Sequence, residues 1–223
     1  MGPGRLLSVA LVAGLFTLFP GSPEPEPKAD PERFRVSIER LDGEVRDRMV
    51  GTSWRRGCPV LLRDLRLVRV THRDFEGDPA NGRLVVQARY AKPIAWVMRQ
   101  LFEAGFRIRL MRLVDAYGAS DRLSMQADNT SAFNCREIAG RPGVWSQHAY
   151  GAAIDINPVE NPYVVGDYVS PPAGRPFADR APRRRGMIGP DGAVVRAFAR
   201  IGWGWGGDWS GARDYQHFSA TGG

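Results

Sequence analysis

Hydrophobic residues recur along the chain at two spacings, and each spacing predicts a different kind of element. Apolar positions about three to four residues apart lie on one face of a helix. This pattern predicts helices over residues 34–49, 93–104 and 193–201. In the second of these, Pro93 near the start and Gly105 just past the end are typical of helix boundaries.

Apolar and polar residues alternate instead over residues 65–70, which predicts a strand. Residues 82–87 are predicted as its antiparallel partner. The segment between them, residues 77–81, contains Gly, Asp, Pro and Asn and is therefore predicted to be the turn.

The remaining predicted strands are separated by two long stretches without a clear period. The strands are expected at residues 108–114, at 152–156 and around His217. Residues 115–145 and 158–190 are rich in polar residues, glycine or proline, so we expect loops around a site. The whole pattern indicates an α+β fold, with a small antiparallel sheet, helices packed on one side and long loops at the other.

The N-terminal part of the chain has the features of an export signal. Arg5 precedes an apolar run over residues 6–19, which is shorter than the roughly 20 apolar residues that a membrane span requires. We therefore predict a signal peptide over residues 1–22. A retained N-terminal anchor is the alternative, because no clear cleavage site is present. A Pro/Glu-rich linker is predicted at 23–33 and a single folded domain at 34–223.

Charge narrows the class of partner only a little. The chain has 223 residues and a formal net charge of +7, and nearly all of its positive charge is arginine. A basic surface can attract nucleic acid, an anionic membrane or an anionic cell-wall polymer. No nucleic-acid-binding module is visible, so nucleic acid is not expected as a partner. A membrane is expected only through a retained N-terminal segment.

The two cysteines, Cys58 and Cys135, are too few for a cysteine-based metal site. In the cytosol, two buried free thiols would be the favoured interpretation. In an oxidising compartment the two can pair, and since export is predicted we expect a disulfide. By closing a long loop it would stabilise the fold by about 4 kcal/mol in the chain-entropy model.

Chemistry enters with two short motifs near the C-terminal end. Residues 146–156 read SQHAYGAAIDI and residues 214–218 read DYQHF. Imidazole nitrogen and carboxylate oxygen are ligands that zinc accepts, and three protein ligands with an open water position are typical of catalytic zinc. His148, Asp155 and His217 supply that number, which predicts one Zn²⁺ ion as cofactor.

The spacing of the first motif favours a loop over a helix. His148 and Asp155 are seven positions apart, whereas ligands on one helix face stand about four apart. A chain that turns through Gly151 and enters a strand would bring both side chains to one edge. The alternative is that His148 and His217 are ordinary hydrogen-bonded residues. This interpretation would have to be true of both motifs.

These motifs resemble peptidase family M15, the zinc D-alanyl-D-alanine carboxypeptidases and dipeptidases and the related L-alanyl-D-glutamate endopeptidases. The resemblance spans roughly residues 51–219. It implies a compact zinc peptidase domain, of the type shared with hedgehog signalling domains, with His148, Asp155 and His217 as metal ligands. Asp214 would take the place of the catalytic carboxylate. Many members carry Glu there, and the Asp form is closer to the endopeptidase branch. Both the D-Ala-D-Ala bond and the L-Ala-D-Glu bond therefore stay open as the bond that is cleaved.

Several further residues are candidates for the site. Arg136 resembles the arginine that assists the transition state in the carboxypeptidase members, although a structural role is the alternative. Ser146, Ser131 and Asp128 are candidate substrate contacts. The segment GWGWGGDW at residues 202–209 holds Trp209, which could line a groove, but its tryptophans could equally be core residues. His72 lies outside both motifs and is expected at the surface.

The sequence therefore predicts an exported or cell-envelope zinc metallopeptidase of bacterial type. Its partners would be peptidoglycan stem peptides, cleaved at the D-Ala-D-Ala or the L-Ala-D-Glu bond. The alternative is a non-catalytic zinc module that binds the cell wall or a partner protein. Asp214 discriminates between them, because a binding module does not need a carboxylate beside the metal.

Overall fold

The computed structural model describes residues 1–2 and 33–223, and residues Pro31–Gly223 form one compact unit. The predicted signal peptide (1–22) and linker (23–33) fall almost entirely outside the described residues, so the domain boundaries stay predictions. In the part of the chain that the structure describes, every helix is too short or too polar to cross a membrane.

Short strands and few helices make up the fold. In chain order the strands are β1 (Val36–Arg40), β2 (Leu65–Arg73), β3 (Pro79–Gln87), β4 (Leu110–Met111), β5 (Asn129–Thr130), β6 (Glu137–Ile138), β7 (Arg141–Trp145), β8 (Ala153–Asp155), β9 (Tyr163–Val165), β10 (Tyr168–Ser170), β11 (Gly204–Trp205), β12 (Arg213–Asp214) and β13 (His217–Ser219). The α-helices are α1 (Gly43–Met49), α2 (Ala88–Glu103), α3 (Asp121–Gln126) and α4 (Ala193–Arg200). Short 3-10 helices lie at Leu62–Asp64, Val114–Tyr117, Gln147–Tyr150, Pro172–Phe177 and Gly206–Asp208.

The largest sheet has the order β1-β2-β3 and is antiparallel throughout. One face packs against α2 in a core that includes Val68, Leu84 and Ile94. The other face packs against α1 in a second core that includes Leu67 and Met49. Because the central strands are buried on both faces, they show only partial alternation of apolar and polar residues.

A second sheet, of order β11-β13-β8, carries the motif residues. Its centre is Phe218, which is fully buried and stacks on Phe198 of α4 with ring centroids 4.1 Å apart. Trp205 also stacks on Phe218, with ring centroids 6.3 Å apart. The α+β class with small antiparallel sheets and few helices is confirmed.

The predicted helix over residues 34–49 is wrong in its first half, which forms strand β1. Ile38 of β1 pairs with Val68, so pairing with the edge of β2 overrides the local helical period. The helix starts only at Gly43, where the Asp42 side chain accepts a hydrogen bond from the Val45 backbone N–H at 2.8 Å.

Other boundaries also move. The strands predicted at 65–70 and 82–87 are confirmed, but both are longer, and the turn lies earlier, where Asp74 accepts from the backbone N–H of Gly77 and of Asp78. Helix α2 starts at Ala88, so Pro93 lies inside it and not at its start.

The predicted strand at 108–114 shrinks to β4, and both stretches predicted as loops contain short regular elements, α3 and the β9–β10 hairpin among them. Strand β8, helix α4 and a last strand carrying His217 lie where they were predicted.

Cys58 and Cys135 form a disulfide, as predicted. It joins the segment after α1 to the chain just before β6, across a sequence separation of 77 residues. Arg136, the next residue after Cys135, is thereby fixed to the second core.

Candidate metal centre and its cleft

Strand pairing brings the two sequence motifs together. In the antiparallel pair β8–β13, His217 lies directly opposite Asp155. Residues that are directly opposite in such a pair have neighbouring side chains on one face. His148 comes from the 3-10 helix Gln147–Tyr150, which ends two residues before β8. The turn into β8 passes through Gly151 with φ of 62°, as the sequence predicted.

Gly151 is needed for space as well as for conformation. A Cβ atom at this position would lie 2.6 Å from the Gln87 backbone nitrogen at the end of β3. The Gln87 N–H donates a hydrogen bond to the Gly151 carbonyl at 3.0 Å. The loop that carries His148 is therefore fastened to the large sheet.

His148, Asp155 and His217 form a buried cluster whose candidate ligand atoms all lie within 4.8 Å of one another. His148 Nε2 is 3.1 Å from Asp155 Oδ2, and His217 Nδ1 is 3.0 Å from Asp155 Oδ1. The cluster thus has the size and the N/O donor set of a zinc site with three protein ligands.

The orientation of His148 also suits a metal ligand. Its Nδ1 is hydrogen-bonded to the Ala132 carbonyl, which directs the ring so that Nε2 faces the cluster. Nε2 is buried and lies 3.1 Å from Asp155 Oδ2 without hydrogen-bonding geometry. A carbonyl on the far nitrogen is the usual support of a metal-bound histidine. The residues present therefore fit a metal ion.

Electrostatics couple the three groups. Burial alone would raise the pKa of Asp155, but His148 and His217 outweigh it and hold that pKa below its usual range. Burial likewise would lower the pKa of His148, and the charge of Asp155 reverses the direction and raises it. A metal ion binds neutral imidazole and carboxylate, so its binding to this cluster would compete with protons.

Asp214 lies on β12 and lines the same cleft as the cluster. Its Oδ1 is buried and has no hydrogen-bond partner in the described part of the chain. Burial, and then the charge of Asp155, raise the pKa of Asp214 to about 6, against an opposing effect of His217. A carboxyl group with this pKa can both accept and release a proton near neutral pH.

Close packing of glycines against β12 sets the position of Asp214. A Cβ atom at Gly206 would lie 2.6 Å from the Asp214 carbonyl oxygen and 2.9 Å from its Cβ. A Cβ atom at Gly207 would lie 2.3 Å from the Trp205 ring. Gly206 is therefore required for the backbone to approach the strand that carries Asp214, and Gly207 leaves room for the Trp205 ring.

The cluster opens into a cleft of about 610 Å³. Its lining residues are Asp121, Met125, Arg136, Ile138, Ala139, Arg141, Trp145, Ser146, Gln147, His148, Asp155, Tyr163, Tyr168, Ser170, Trp209, Asp214, Gln216, His217, Gly222 and Gly223. Five different segments thus contribute to one site, in line with the expectation that long loops surround it.

Two predicted site residues, Arg136 and Ser146, lie in this cleft. Arg136 Nη2 is 3.0 Å from Asp121 Oδ2, so an ion pair fixes the guanidinium. The Ser146 hydroxyl accepts a hydrogen bond from the His148 backbone N–H at 3.3 Å and so begins the short helix that carries the ligand.

The tryptophans of residues 202–209 divide between core and cleft. Trp203 and Trp205 are buried in the main core. Trp209 lines the cleft, with its ring centroid 5.5 Å from that of His217 and its Nε1–H donating to the Gly222 carbonyl. Of the three, only Trp209 is placed where it could contact a substrate.

Ser131 and Asp128 are not among the residues that line the cleft. Ser131 pairs through its backbone with Asp155 and so supports the ligand strand. Asp128 accepts a hydrogen bond from the Val159 backbone N–H at 2.9 Å and lies 3.4 Å from Arg109. Both residues thus support the structure around the cluster, and their role as substrate contacts stays a prediction.

His72, expected at the surface, is buried on β2 with 5% exposure. Burial lowers its pKa. Sequence reasoning placed it at the surface because it stands in a basic stretch, and it had no means of showing that β2 is buried on both faces.

Sequence reasoning also missed several cleft residues, among them Asp121, Arg141, Trp145, Tyr163 and Tyr168. None stands in a recognisable motif. The alternation of Tyr163 and Val165 could have indicated the β9 strand, but not that its edge reaches the metal cluster.

The described residues thus form an α+β domain in which a buried His–Asp–His cluster that could hold a metal ion lines a cleft. Residues 139–220 match the family model described as D-alanyl-D-alanine carboxypeptidase. This match confirms the resemblance to peptidase family M15 over the stretch that carries the cluster and Asp214, and it supports a hydrolase of the peptidase class. No curated protein and no solved structure matched the chain.

Proposed function

We propose that this protein is an exported zinc metallopeptidase that hydrolyses an amide bond involving a D-amino acid in peptidoglycan stem peptides. The observation that carries the proposal is the convergence of His148, Asp155 and His217 within 4.8 Å at the base of a cleft that also holds Asp214. The match of residues 139–220 to a D-alanyl-D-alanine carboxypeptidase model supports the substrate class.

The three cluster residues would hold the zinc ion. When bound there, zinc would act as a Lewis acid and lower the pKa of a water molecule from about 15.7 toward 7. The carbonyl of Ala132 keeps His148 oriented through Nδ1, and Ser131 keeps Asp155 in place through the backbone. These supports would hold the ligands in a fixed geometry.

Asp214 would act as the general base and acid. Its unpartnered, buried oxygen can accept a proton from the attacking water and then pass it to the leaving amine. An aspartate is one methylene shorter than the glutamate found in many relatives. Because the side chain is shorter, the backbone of β12 must lie closer to the reacting atoms. The close packing of β12 on Gly206 is consistent with this requirement.

Arg136 would stabilise the oxyanion that forms on the substrate carbonyl. Its guanidinium lines the cleft and is held by Asp121, so it would not need to reorganise during the reaction. A fixed donor of this kind is worth about 3 kcal/mol of barrier. Ser146 and Trp209 are the remaining predicted residues that a bound peptide could reach.

Export is supported by the N-terminal sequence and by the Cys58–Cys135 disulfide, since disulfides persist in oxidising compartments. Both the terminal D-Ala-D-Ala bond and the L-Ala-D-Glu bond remain candidates for the reaction. The Asp at position 214 favours the endopeptidase, and the matched family model favours the carboxypeptidase.

Digestion of purified peptidoglycan with zinc-loaded protein tests the proposal. The fragments are identified by mass: free alanine indicates the carboxypeptidase, and a new D-Glu amino terminus indicates the endopeptidase. Asp214→Asn should lower the rate by about 10²–10⁴-fold while zinc stays bound. Asp208→Asn is the matched control, because Asp208 is exposed and lies in the same segment.

The outcomes separate the rival functions. Hydrolysis that survives in Asp214→Asn would assign the base to another residue. If the unaltered, zinc-loaded protein binds wall fragments but cleaves none of them, the protein is a non-catalytic zinc module and the peptidase proposal is wrong.

A further inference from the structure

Two arginines line the cleft, and they differ in their partners. Arg136 is neutralised by Asp121 at 3.0 Å. Arg141 lines the cleft without a carboxylate within 4.0 Å and without a side-chain hydrogen bond to any other described residue. Of the two guanidinium groups in the cleft wall, that of Arg141 is therefore the one whose charge is not balanced by a described carboxylate.

Arg141 and Trp145 are the two ends of strand β7. The pairing of this strand with β6 shifts register between them, since Ile138 pairs with Arg141 and Glu137 with Trp145. Both ends line the cleft, whereas Val144 is 38% exposed and does not. The β6–β7 hairpin therefore forms part of the cleft wall, and Arg141 lies on it directly after the turn.

Exposure falls along this strand toward the metal cluster. Arg141 is exposed, Trp145 is half-buried, and Ser146 and His148 are buried. Arg141 therefore stands at the solvent-exposed end of this part of the cleft wall, whereas the cluster lies at its buried end.

The same cleft also carries aromatic side chains. Tyr163 and Tyr168 line it with ring centroids 6.4 Å apart, and Tyr168 is 60% exposed. These rings offer apolar surface to a bound peptide, so the guanidinium of Arg141 is left as the group of the exposed wall that suits an anion.

We propose that Arg141 binds a carboxylate of the substrate at the solvent-exposed end of the cleft wall and so selects acidic stem peptides. The inference rests on the proposed function for the identity of the peptide. A guanidinium suits this task because its planar N–H groups can hold a carboxylate through two parallel hydrogen bonds. Since Arg141 is exposed and the cluster is buried, Arg141 is a specificity-determining residue and acts on substrate binding.

The test uses one pentapeptide, L-Ala-D-Glu-L-Lys-D-Ala-D-Ala, in three forms. The first has both free carboxylates, the second has the D-Glu α-carboxyl as an amide, and the third has the C-terminal carboxyl as an amide. The zinc-loaded protein is compared with Arg141→Gln, Arg141→Lys and Arg40→Gln. Arg40 is exposed on β1 and outside the cleft, so its variant matches the charge change.

The native protein should prefer the free form over one of the two amides by about ten-fold or more in kcat/KM, since a hydrogen bond to a charged group contributes that much. The amide that the native protein cleaves with the lower kcat/KM identifies the carboxylate that Arg141 binds. In Arg141→Gln the ratio should fall to about one through KM, Arg141→Lys should keep part of it, and Arg40→Gln should keep all of it. An unchanged ratio in Arg141→Gln would overturn the proposal.

Binding of the same three peptides, measured by calorimetry, separates this inference from the proposed function. One outcome is that no peptide is cleaved, but the ratio of Kd values for the free form and the amide falls to about one in Arg141→Gln and in no other variant. In that case Arg141 binds the carboxylate as proposed, and the peptidase proposal is wrong. If the native protein binds all three forms equally, the inference is wrong whether or not hydrolysis occurs. Equal thermal unfolding of native protein and Arg141→Gln excludes a folding defect.

Discussion

At the scale of single residues, buried polar side chains organise the chain behind the cleft. Asn161 is fully buried, and its Nδ2 donates to the carbonyls of Ile156, Asn157 and Gly186. Its Oδ1 accepts from the Ile188 backbone N–H. One side chain thus joins the segment after the Asp155 ligand to the segment before α4.

Glu160, next to this asparagine, gives a prediction on pH. Its side chain is 4% exposed, with Oε1 3.6 Å from Arg109. Burial, and then the hydrogen bond and charge of Asp128, raise the pKa of Glu160 from 4.5 to about 8, although Arg109 opposes the change. The folded protein therefore favours the protonated carboxyl group, while the unfolded chain releases the proton at lower pH.

This residue should make stability fall as pH rises. The contribution of protonated Glu160 is complete below pH 4.5 and is lost progressively up to about pH 8. Glu160→Gln keeps a neutral side chain at every pH, so the unfolding free energy of the native protein relative to this variant should decrease from pH 5 to pH 8. Urea denaturation at both pH values measures it. Glu76→Gln, at an exposed position, is the control, and a pH-independent difference for Glu160→Gln would contradict the prediction.

At the scale of elements, strand β12 is positioned by the glycine segment behind it. It pairs with β9, so that Asp214 lies opposite Tyr163. On its other side the backbone of Asp214 is in contact with Gly206. The strand is only two residues long, so the contact with Gly206 is needed in addition to the pairing with β9 to fix the position of Asp214.

Gly206→Ala should therefore reduce hydrolysis without removing the metal. The new methyl group would lie 2.6 Å from the Asp214 carbonyl oxygen, so β12 must shift. A displacement of about 1 Å at a catalytic group can cost about 10²-fold in rate. Peptidoglycan turnover and bound zinc are measured together. Gly43→Ala, where nothing lies within 4 Å, should leave both unchanged, and native turnover by Gly206→Ala would contradict the prediction.

At the scale of the whole molecule, two cores on either side of the β1-β2-β3 sheet support the cleft from behind. The disulfide ties one of these cores to the chain that carries Arg136. The cleft walls are therefore short strands and loops fastened to a rigid base, which is the usual arrangement of a site whose specificity resides in loops.

The net charge of +7 leads to a prediction on wall binding. An anionic wall should retain the basic protein through weak attraction that salt screens, since the Debye length falls from about 10 Å at 0.1 M to about 3 Å at 1 M. Cosedimentation with intact walls should therefore decrease steeply over this range. Walls stripped of anionic polymer are the control. Binding that salt leaves unchanged would show that charge does not retain the protein.

The sequence by itself determined the candidate metal ligands and the elements that carry them. The chain has only three histidines, two of them near the C-terminal end, and zinc accepts only a small set of side chains, so residue type and spacing identified His148, Asp155 and His217. Their strands were predictable because each is short, apolar and bounded by glycine or proline. The pairing of the two cysteines followed from their number and the export signal.

Only the tertiary structure decided what surrounds that cluster. Whether residues 34–40 form helix or strand depended on the free edge of β2, which no local pattern contains. Arg136 and Arg141 read alike in the sequence, and they differ because Asp121 reaches one and not the other. The pKa of Glu160 is raised for the same reason: burial and a carboxylate from a distant segment, Asp128, set its environment, and the environment sets the chemistry of the side chain.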